Sequence, residues 1–233
     1  MNEKLLNILR QVDTPTICNA IEGVQGKRGF DNFTKKTMHI SEINNESIVG
    51  YAVTAKIIAS SPPKDSPEIV KSRRMNYYKY VSEGKTPIVV VIEDEDGLNP
   101  CGAFWGEVNA TIHKGLGLKG VITNGTMRDL DVLPKNFPIL SGAVGPSHAF
   151  VHVTEFKCKV DVLGMIVYPG DLIHADRHGA CVIPKDTIEG LENSISKLVS
   201  DENIVLDPAR KAGFNYEILE KAWLEIEKSR NNK

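Results

Sequence analysis

Residues 102–131 limit the fold more than any other stretch: Gly-Ala-Phe-Trp-Gly-Glu-Val-Asn-Ala-Thr-Ile-His-Lys-Gly-Leu-Gly-Leu-Lys-Gly-Val-Ile-Thr-Asn-Gly-Thr-Met-Arg-Asp-Leu-Asp. The pattern reads as loop, helix, tight turn, strand, tight turn, then an Arg-Asp pair. Gly102 and Gly106 let backbone pass close to a neighbour. Val108 to Lys114 is long enough for one or two helical turns, and Gly115 and Gly117 stop it as helices commonly end. Leu118 to Thr123 is a short apolar run with β-branched residues, which predicts a buried strand. Asn124-Gly125 is a strong turn signal. The turn delivers Arg128 and Asp129 beside the glycine loop. A cation, a carboxylate and free backbone amides then face one small space, which equips it for a small anionic ligand and a divalent metal.

Around this stretch helix and strand are mixed. Glu3 to Gln11 sets Leu5, Leu6, Ile8 and Leu9 on one helical stripe. Thr14 and Pro15 open a short second helix, Thr16 to Ile21, and residues 23–29 form a loop. His39 to Ile43 and Ser47 to Ser60 are strand-like, the second rich in β-branched residues. Ser66 caps a helix from Pro67 to about Glu83, whose tyrosines pack. Pro87 to Glu93 is another apolar strand. The four carboxylates Glu93 to Asp96 read as a solvated acidic loop rather than a metal site. Pro134 keeps any helix over Leu130 to Leu133 short. Phe137 to Ser141 is a strand, residues 142–147 a glycine-proline loop, and five short strands follow: Val151 to Phe156, Lys159 to Val162, Met165 to Val167, Asp171 to Ala175 and Ala180 to Ile183. Amphipathic helices, Thr187 to Ser200 and Asn215 to Lys228, close the chain before a polar, disordered end from Ser229 to Lys233. This order predicts a layered α/β protein with a mixed sheet. No boundary interrupts it, so one domain spans 1–233, with a C-terminal helical extension from about 207.

Composition excludes several classes. A hydrophobic share of 41% with 25% charged residues supports a normal core. The net charge of −2 is dispersed and gives no reason to expect nucleic acid or an acidic membrane as partner. No apolar run approaches the ~20 residues of a spanning helix, and the N-terminus lacks a signal peptide's apolar centre. The cysteines at 18, 101, 158 and 181 are scattered, as reduced thiols of a cytoplasmic protein would be.

The segment Gly106 to Asp129, followed by Pro169-Gly170-Asp171-Leu172-Ile173-His174-Ala175-Asp176-Arg177-His178-Gly179-Ala180-Cys181-Val182-Ile183-Pro184, resembles the RraA and 4-hydroxy-4-methyl-2-oxoglutarate aldolase family. The resemblance runs from about Thr14 to Lys185. It implies a phosphohistidine-domain-like β/β/α layered fold, assembled as a homotrimer or homohexamer with sites between subunits. It also implies one of two functions. One is a class II pyruvate aldolase, a Mg2+- or Mn2+-dependent lyase that releases pyruvate from a 4-hydroxy-2-oxo acid and decarboxylates oxaloacetate. The other is a non-catalytic RraA-like regulator that binds a ribonuclease. The aldolase pattern is an acid, twenty residues, Arg-Asp, two residues, then Glu or Asp. Glu107 takes the first place, residues 108–127 make the interval, and Arg128 and Asp129 form the pair. Val132 occupies the last place and does not match; Asp131 lies one residue early. The departure weakens the case for efficient aldol cleavage.

Each candidate also has a structural alternative. Asp129 is the proposed metal ligand, because magnesium keeps several waters and often takes only one or two protein carboxylates; alternatively it caps a short helix. Arg128 would hold the carboxylate or C2 oxygen of a 2-oxo acid and stabilise the enolate; alternatively it makes a weak surface ion pair. Gly106, Glu107, Val108 and Asn109 would offer backbone amides to the substrate carboxylate. Glu107 would steer a metal-bound water as base, or simply be a first-turn acid favoured by the helix dipole. Asp131, Asp176 and His178 are candidates for supporting that shell, histidine being the side chain type best placed to exchange a proton near neutrality; alternatively Asp176-Arg177-His178 is a charged turn holding strands. His113 and Lys114 are expected exposed at a helix end.

Overall fold

The computed structural model describes residues 2–43 and 46–231. In chain order its elements are α1 (Glu3–Gln11), α2 (Thr14–Gln25), β1 (His39–Ile40), β2 (Ile48–Ile58), α3 (Pro67–Ser82), β3 (Ile88–Asp94), β4 (Ala103–Trp105), α4 (Glu107–Gly115), β5 (Val121–Thr123) and β6 (Thr126–Met127). A 3-10 turn (Leu130–Val132) follows, then β7 (Ile139–Ser141), β8 (Ala143–Val144), β9 (His152–Phe156), β10 (Val160–Val162), β11 (Met165–Val167), β12 (Leu172–Asp176), β13 (Gly179–Ile183), α5 (Ile188–Ala209) and α6 (Tyr216–Asn231).

The main sheet has the order β1-β7-β5-β3-β2-β12-β13, with β9 also on β2. β2, β3, β5 and β7 run parallel, while β1, β9 and β12 join antiparallel. The sheet is therefore mixed, as the order of elements predicts. Its centre is buried on both faces, which is why β3 is a continuous apolar run. Ile88, Val90 and Ile92 face Tyr77, Val81 and Trp105; Val89 and Val91 face the β10–β11 hairpin through Val160, Val162 and Met165. A third cluster joins α1, α2 and α5 to Val49, Tyr51, Leu172 and Ile183. Among the described residues no helix is long and apolar enough to cross a membrane, and all four cysteines are free thiols.

Helices α2, α5 and α6 run past their sequence signals. Asp13 caps α2 by accepting from the Thr16 amide at 2.9 Å, so the helix begins at Thr14. It continues past the expected stop to Gln25, where Gly26 (φ 66°) closes it in the left-handed region. α5 runs on to Ala209, so position 207 lies inside its last turn. α6 lays Ala222 and Ile226 inward, and Ser229 Oγ donates to Asp201 Oδ1 at 2.7 Å. That packing carries helix into the end expected to be disordered; Asn232 and Lys233 lie outside the described residues. The strand expected over His39 to Ile43 is only His39–Ile40.

Residues 103–105 and 126–127, which read as loop and turn, form a small parallel sheet in the order β4-β6-β8. This second sheet positions the Arg-Asp pair. It follows the C-terminal ends of β3 and β5, where Ile57 pairs with Asp94. At the other end of the same strands Ile48 pairs with Ala175. The two ends are about 30 Å apart along β2.

Candidate functional site

β6 pairs with β4 so that Met127 lies opposite Trp105, and the Arg128 amide donates to the Trp105 carbonyl at 2.8 Å. This brings Arg128 and Asp129 against Gly106. A Cβ on Gly106 would run into Asp129 Oδ2 and sit 3.0 Å from Arg128 Nε. The glycine is required by that close approach, since its own φ is extended at −132°. Asp129 has φ 60° and ψ 40°, left-handed backbone that costs a non-glycine residue about 1–2 kcal/mol. In return its Oδ2 accepts from the Glu107 amide at 3.1 Å.

Arg128 Nε lies 3.7 Å from Asp129 Oδ2, and both side chains are about a third exposed, at 35%. Nε itself is buried and has no hydrogen-bond partner among the described residues. Gly106 is the N-cap of α4 and supplies no side-chain cap. The first-turn amides of Val108 and Asn109 also lack a partner among the described residues. The part-exposed Arg128 guanidinium, the Asp129 carboxylate and two unpartnered amides thus lie around one turn.

The flanking acids are exposed: Glu107 stands in the first turn of α4, and Asp131 lies in the 3-10 turn. In that turn the Val132 amide donates to the Asp129 carbonyl at 3.0 Å. Val132, at the last place of the aldolase pattern, is 55% exposed.

Two expectations need correction. His113 is fully buried, at 0% exposure. Both ring nitrogens have partners: Tyr77 Oη at 2.7 Å and the Asn109 carbonyl at 2.7 Å. Burial lowers its pKa to about 4, so the ring stays neutral. The acidic run is not a solvated loop either. Asp94 is 1% exposed, its Oδ1 accepts from the Asp96 amide at 3.0 Å, and its Oδ2 has no partner among the described residues. Burial raises that carboxyl to about 6. Asn124 brings it inside, accepting from the Asp94 amide at 2.7 Å and donating to its carbonyl at 2.8 Å. Asp96 ties down the Ala59 and Ser60 amides, and Glu95 accepts from Thr154 Oγ1.

Asp176 and His178 lie at the opposite end of the strands, so one chain does not bring them to Arg128 and Asp129. Asp176 Oδ2 accepts from the Thr14 amide at 2.9 Å, and Oδ1 from the His178 amide at 2.8 Å. His178 Nδ1 is 3.1 Å from both oxygens. Burial pushes the Asp176 carboxyl up, but the donors from Thr14 and His178 outweigh it and hold the group below its ordinary value. Beside it, buried His174 is bonded to Thr14 Oγ1 at 3.0 Å and the Leu9 carbonyl at 2.8 Å.

No three Cys, His, Asp or Glu side chains among the described residues converge as a metal cage. Asp129 fits the sparser mode of magnesium, one carboxylate with waters and a chelating anion. Its Oδ1 is free of hydrogen bonds among the described residues, and the part-exposed Arg128 guanidinium beside it fits an anionic co-ligand.

The chain matches the family model described as RraA-like, Aldolase/RraA, over residues 14–182. It is similar, at 26% identity over 220 residues, to a Halalkalibacterium halodurans protein provisionally named 4-hydroxy-4-methyl-2-oxoglutarate aldolase, covering 93% of this chain and 91% of that one. It is also 26% identical over 194 residues to an uncharacterized protein of Methanocaldococcus jannaschii, covering 82% of each. Among solved structures it shares its fold with Streptomyces coelicolor RraAS2, described as an unusual member of the RNase ES inhibitor RraA protein family. That match has a TM-score of 0.65 at 19% identity and covers 91% of this chain and 98% of that one. An uncharacterized Pseudomonas syringae pv. tomato protein gives a TM-score of 0.71 at 18% identity over 97% of this chain and 95% of that one. The mixed α/β fold and the family match over most of its length agree: the chain belongs to the RraA-like, Aldolase/RraA family.

Proposed function

We propose that the protein is a divalent-metal-dependent lyase that cleaves a carbon–carbon bond of a 4-hydroxy-2-oxo acid to release pyruvate, and that it also decarboxylates oxaloacetate. Four groups around one turn carry this assignment: the part-exposed Arg128 guanidinium, the Asp129 carboxylate and the unpartnered Val108 and Asn109 amides. The provisional aldolase name of a relative aligned over 93% of the chain supports it.

The α4 amides receive the substrate's C1 carboxylate at the positive end of the helix. Arg128 faces the C2 oxygen, where negative charge grows as the C3–C4 bond breaks, so it holds the transition state more tightly than the substrate. Asp129 would hold Mg2+ or Mn2+, which supplies Lewis-acid polarisation and acidified water when bound. Glu107, exposed in the first turn, takes the proton of the C4 hydroxyl through water. The C3–C4 bonding pair becomes the C2=C3 double bond, the C2=O π pair moves onto oxygen, and the carbonyl fragment leaves. Glu107 returns its proton through water to C3 of the pyruvate enolate to give pyruvate. From oxaloacetate the leaving fragment is CO2, and no hydroxyl proton need be removed. The homotrimer or homohexamer implied by the family resemblance is part of this proposal.

Pyruvate release coupled to lactate dehydrogenase, from 4-hydroxy-4-methyl-2-oxoglutarate and from oxaloacetate, tests the assignment. Mg2+-dependent release abolished by EDTA is expected; chelator-resistant release would rule out the metal.

A second reading has its own observation. Val132 replaces the acid of the aldolase pattern, and Val108 and Ile112 on α4 and Leu130 in the 3-10 turn are exposed apolar residues as well. This fits a non-catalytic protein that binds a ribonuclease. Stoichiometric recovery of a ribonuclease, with no pyruvate formed, would favour it.

A further inference from the structure

The first turn of α4 is not held by a cap of its own. The side chain of Asn109 turns inward: Nδ2 donates to the Phe104 carbonyl at 2.8 Å, and Oδ1 accepts from Tyr78 Oη at 2.6 Å. Phe104 belongs to β4 and Tyr78 to α3, so one amide ties the first turn to both. One turn later the ring of His113 repeats the tie. Its Nδ1 donates to the Asn109 carbonyl at 2.7 Å, which leaves Nε2 to accept from Tyr77 Oη at 2.7 Å. Asn109 and His113 are four apart and share a helix face. α3 thus grips α4 at two successive levels through adjacent tyrosines.

The grip fixes what the other face of the turn presents. Asn109's own amide and that of Val108 are open beside Arg128. The Glu107 amide is held by Asp129 Oδ2 at 3.1 Å. A shift of the first turn would move the open amides and the Asp129 carboxylate together. We infer that Tyr78 and Asn109 are positioning residues of the candidate site. The Tyr78 hydroxyl, acting through the Asn109 amide, holds the α4 amides in register with Arg128 for the carboxylate of a 2-oxo acid. The inference rests on the reading of that site as a 2-oxo-acid site.

Oxalate, a planar dianion shaped like the pyruvate enolate, is a suitable probe. Its Kd is measured by calorimetry with Mg2+ for the parent chain, Tyr78→Phe and Asn109→Ala, with hydrogen exchange of residues 104–115 followed alongside. Tyr80→Phe is the control, because Tyr80 Oη accepts from the Thr54 amide at 3.2 Å on β2 rather than touching α4. Loss of one neutral hydrogen bond predicts a roughly three- to tenfold weaker Kd for Tyr78→Phe. Faster exchange of the 107–109 amides is expected, with little change in Tm. Asn109→Ala should weaken binding at least as much, and the double variant no more than Asn109→Ala alone. Tyr80→Phe should leave the Kd unchanged. Parent-like oxalate affinity and exchange in Tyr78→Phe, or equal weakening in Tyr80→Phe, would overturn the inference. If Tyr78→Phe does not fold, Asn109→Ala decides by the same criteria. No oxalate binding by the parent would instead overturn the site assignment, and this inference with it.

Discussion

The two ends of the parallel strands carry similar side chains and treat them in opposite ways. At one end Asp176, His174, His178 and Thr14 form a closed network. Asp176 receives the Thr14 and His178 amides, and both nitrogens of His174 have partners. At the other end Arg128 Nε and Asp94 Oδ2 are buried with none among the described residues. There Asp129 occupies left-handed backbone, and two helix amides are open. Satisfied polar groups specify structure. Exposed groups left unsatisfied, around strained backbone, are the ones available to a ligand. An Asp-Arg-His sequence and an Arg-Asp sequence look equally chemical on paper, and only the partners separate them.

The largest effects should follow from removing the open groups themselves. Asp129→Asn tolerates the same backbone but loses the charge. It and Arg128→Met are each expected to lower pyruvate release roughly a hundred- to a thousandfold, by analogy with losing one transition-state donor, while the melting temperature stays near that of the parent. Next is Gly106→Ala. Its Cβ must displace Asp129 Oδ2 and crowd Arg128, and a displacement of about 1 Å at such a site lowers turnover on the order of a hundredfold. Parent-like turnover in Gly106→Ala would show that the close approach does not matter.

Charge removal should have opposite signs at the two ends. Asp94 titrates at about 6 in the fold against 3.8 ordinarily. Its ionised form is therefore destabilising, not at all below pH 4 and fully above pH 6. Asp94→Asn should raise stability at pH 7.5 by up to about 3 kcal/mol in urea unfolding and leave it unchanged at pH 4. For Asp176 the fold lowers the pKa. Its stabilisation is present at neutral pH and disappears as pH falls through the ordinary carboxylate range toward the lower folded value. Asp176→Ala should cost about 2 kcal/mol at pH 7 without changing pyruvate release per folded molecule. Destabilisation by Asp94→Asn at pH 7.5, or lost turnover in folded Asp176→Ala, would erase the contrast.

Local signals account for what could be read from sequence. The β-branched runs of β2 and β3 are regular enough to name, and Gly106 announces the close packing of the Arg-Asp pair. What stayed hidden depends on distant partners. β4 and β6 are three and two residues long, too short for any period, and exist because they pair with each other. Asp94 is buried because Asn124 reaches back to clamp it, so a carboxylate run that looks solvated is not. His113 is drawn inside by Tyr77 from another helix. Asp176 owes its role to Thr14, 162 residues away. Asn109 was legible as a backbone amide, but its side chain bonds to Tyr78 and Phe104 have no local signature.

Exchange of the pyruvate methyl protons in D2O with Mg2+, followed by NMR, tests the contrast most directly, because it requires an enolate-forming site and no knowledge of the aldol partner. Loss of the methyl signal is expected with the parent and with Asp176→Asn, and not with Asp129→Asn or with EDTA. No exchange by the parent, or exchange that survives Asp129→Asn and fails in Asp176→Asn, would contradict the assignment of chemistry to the open end.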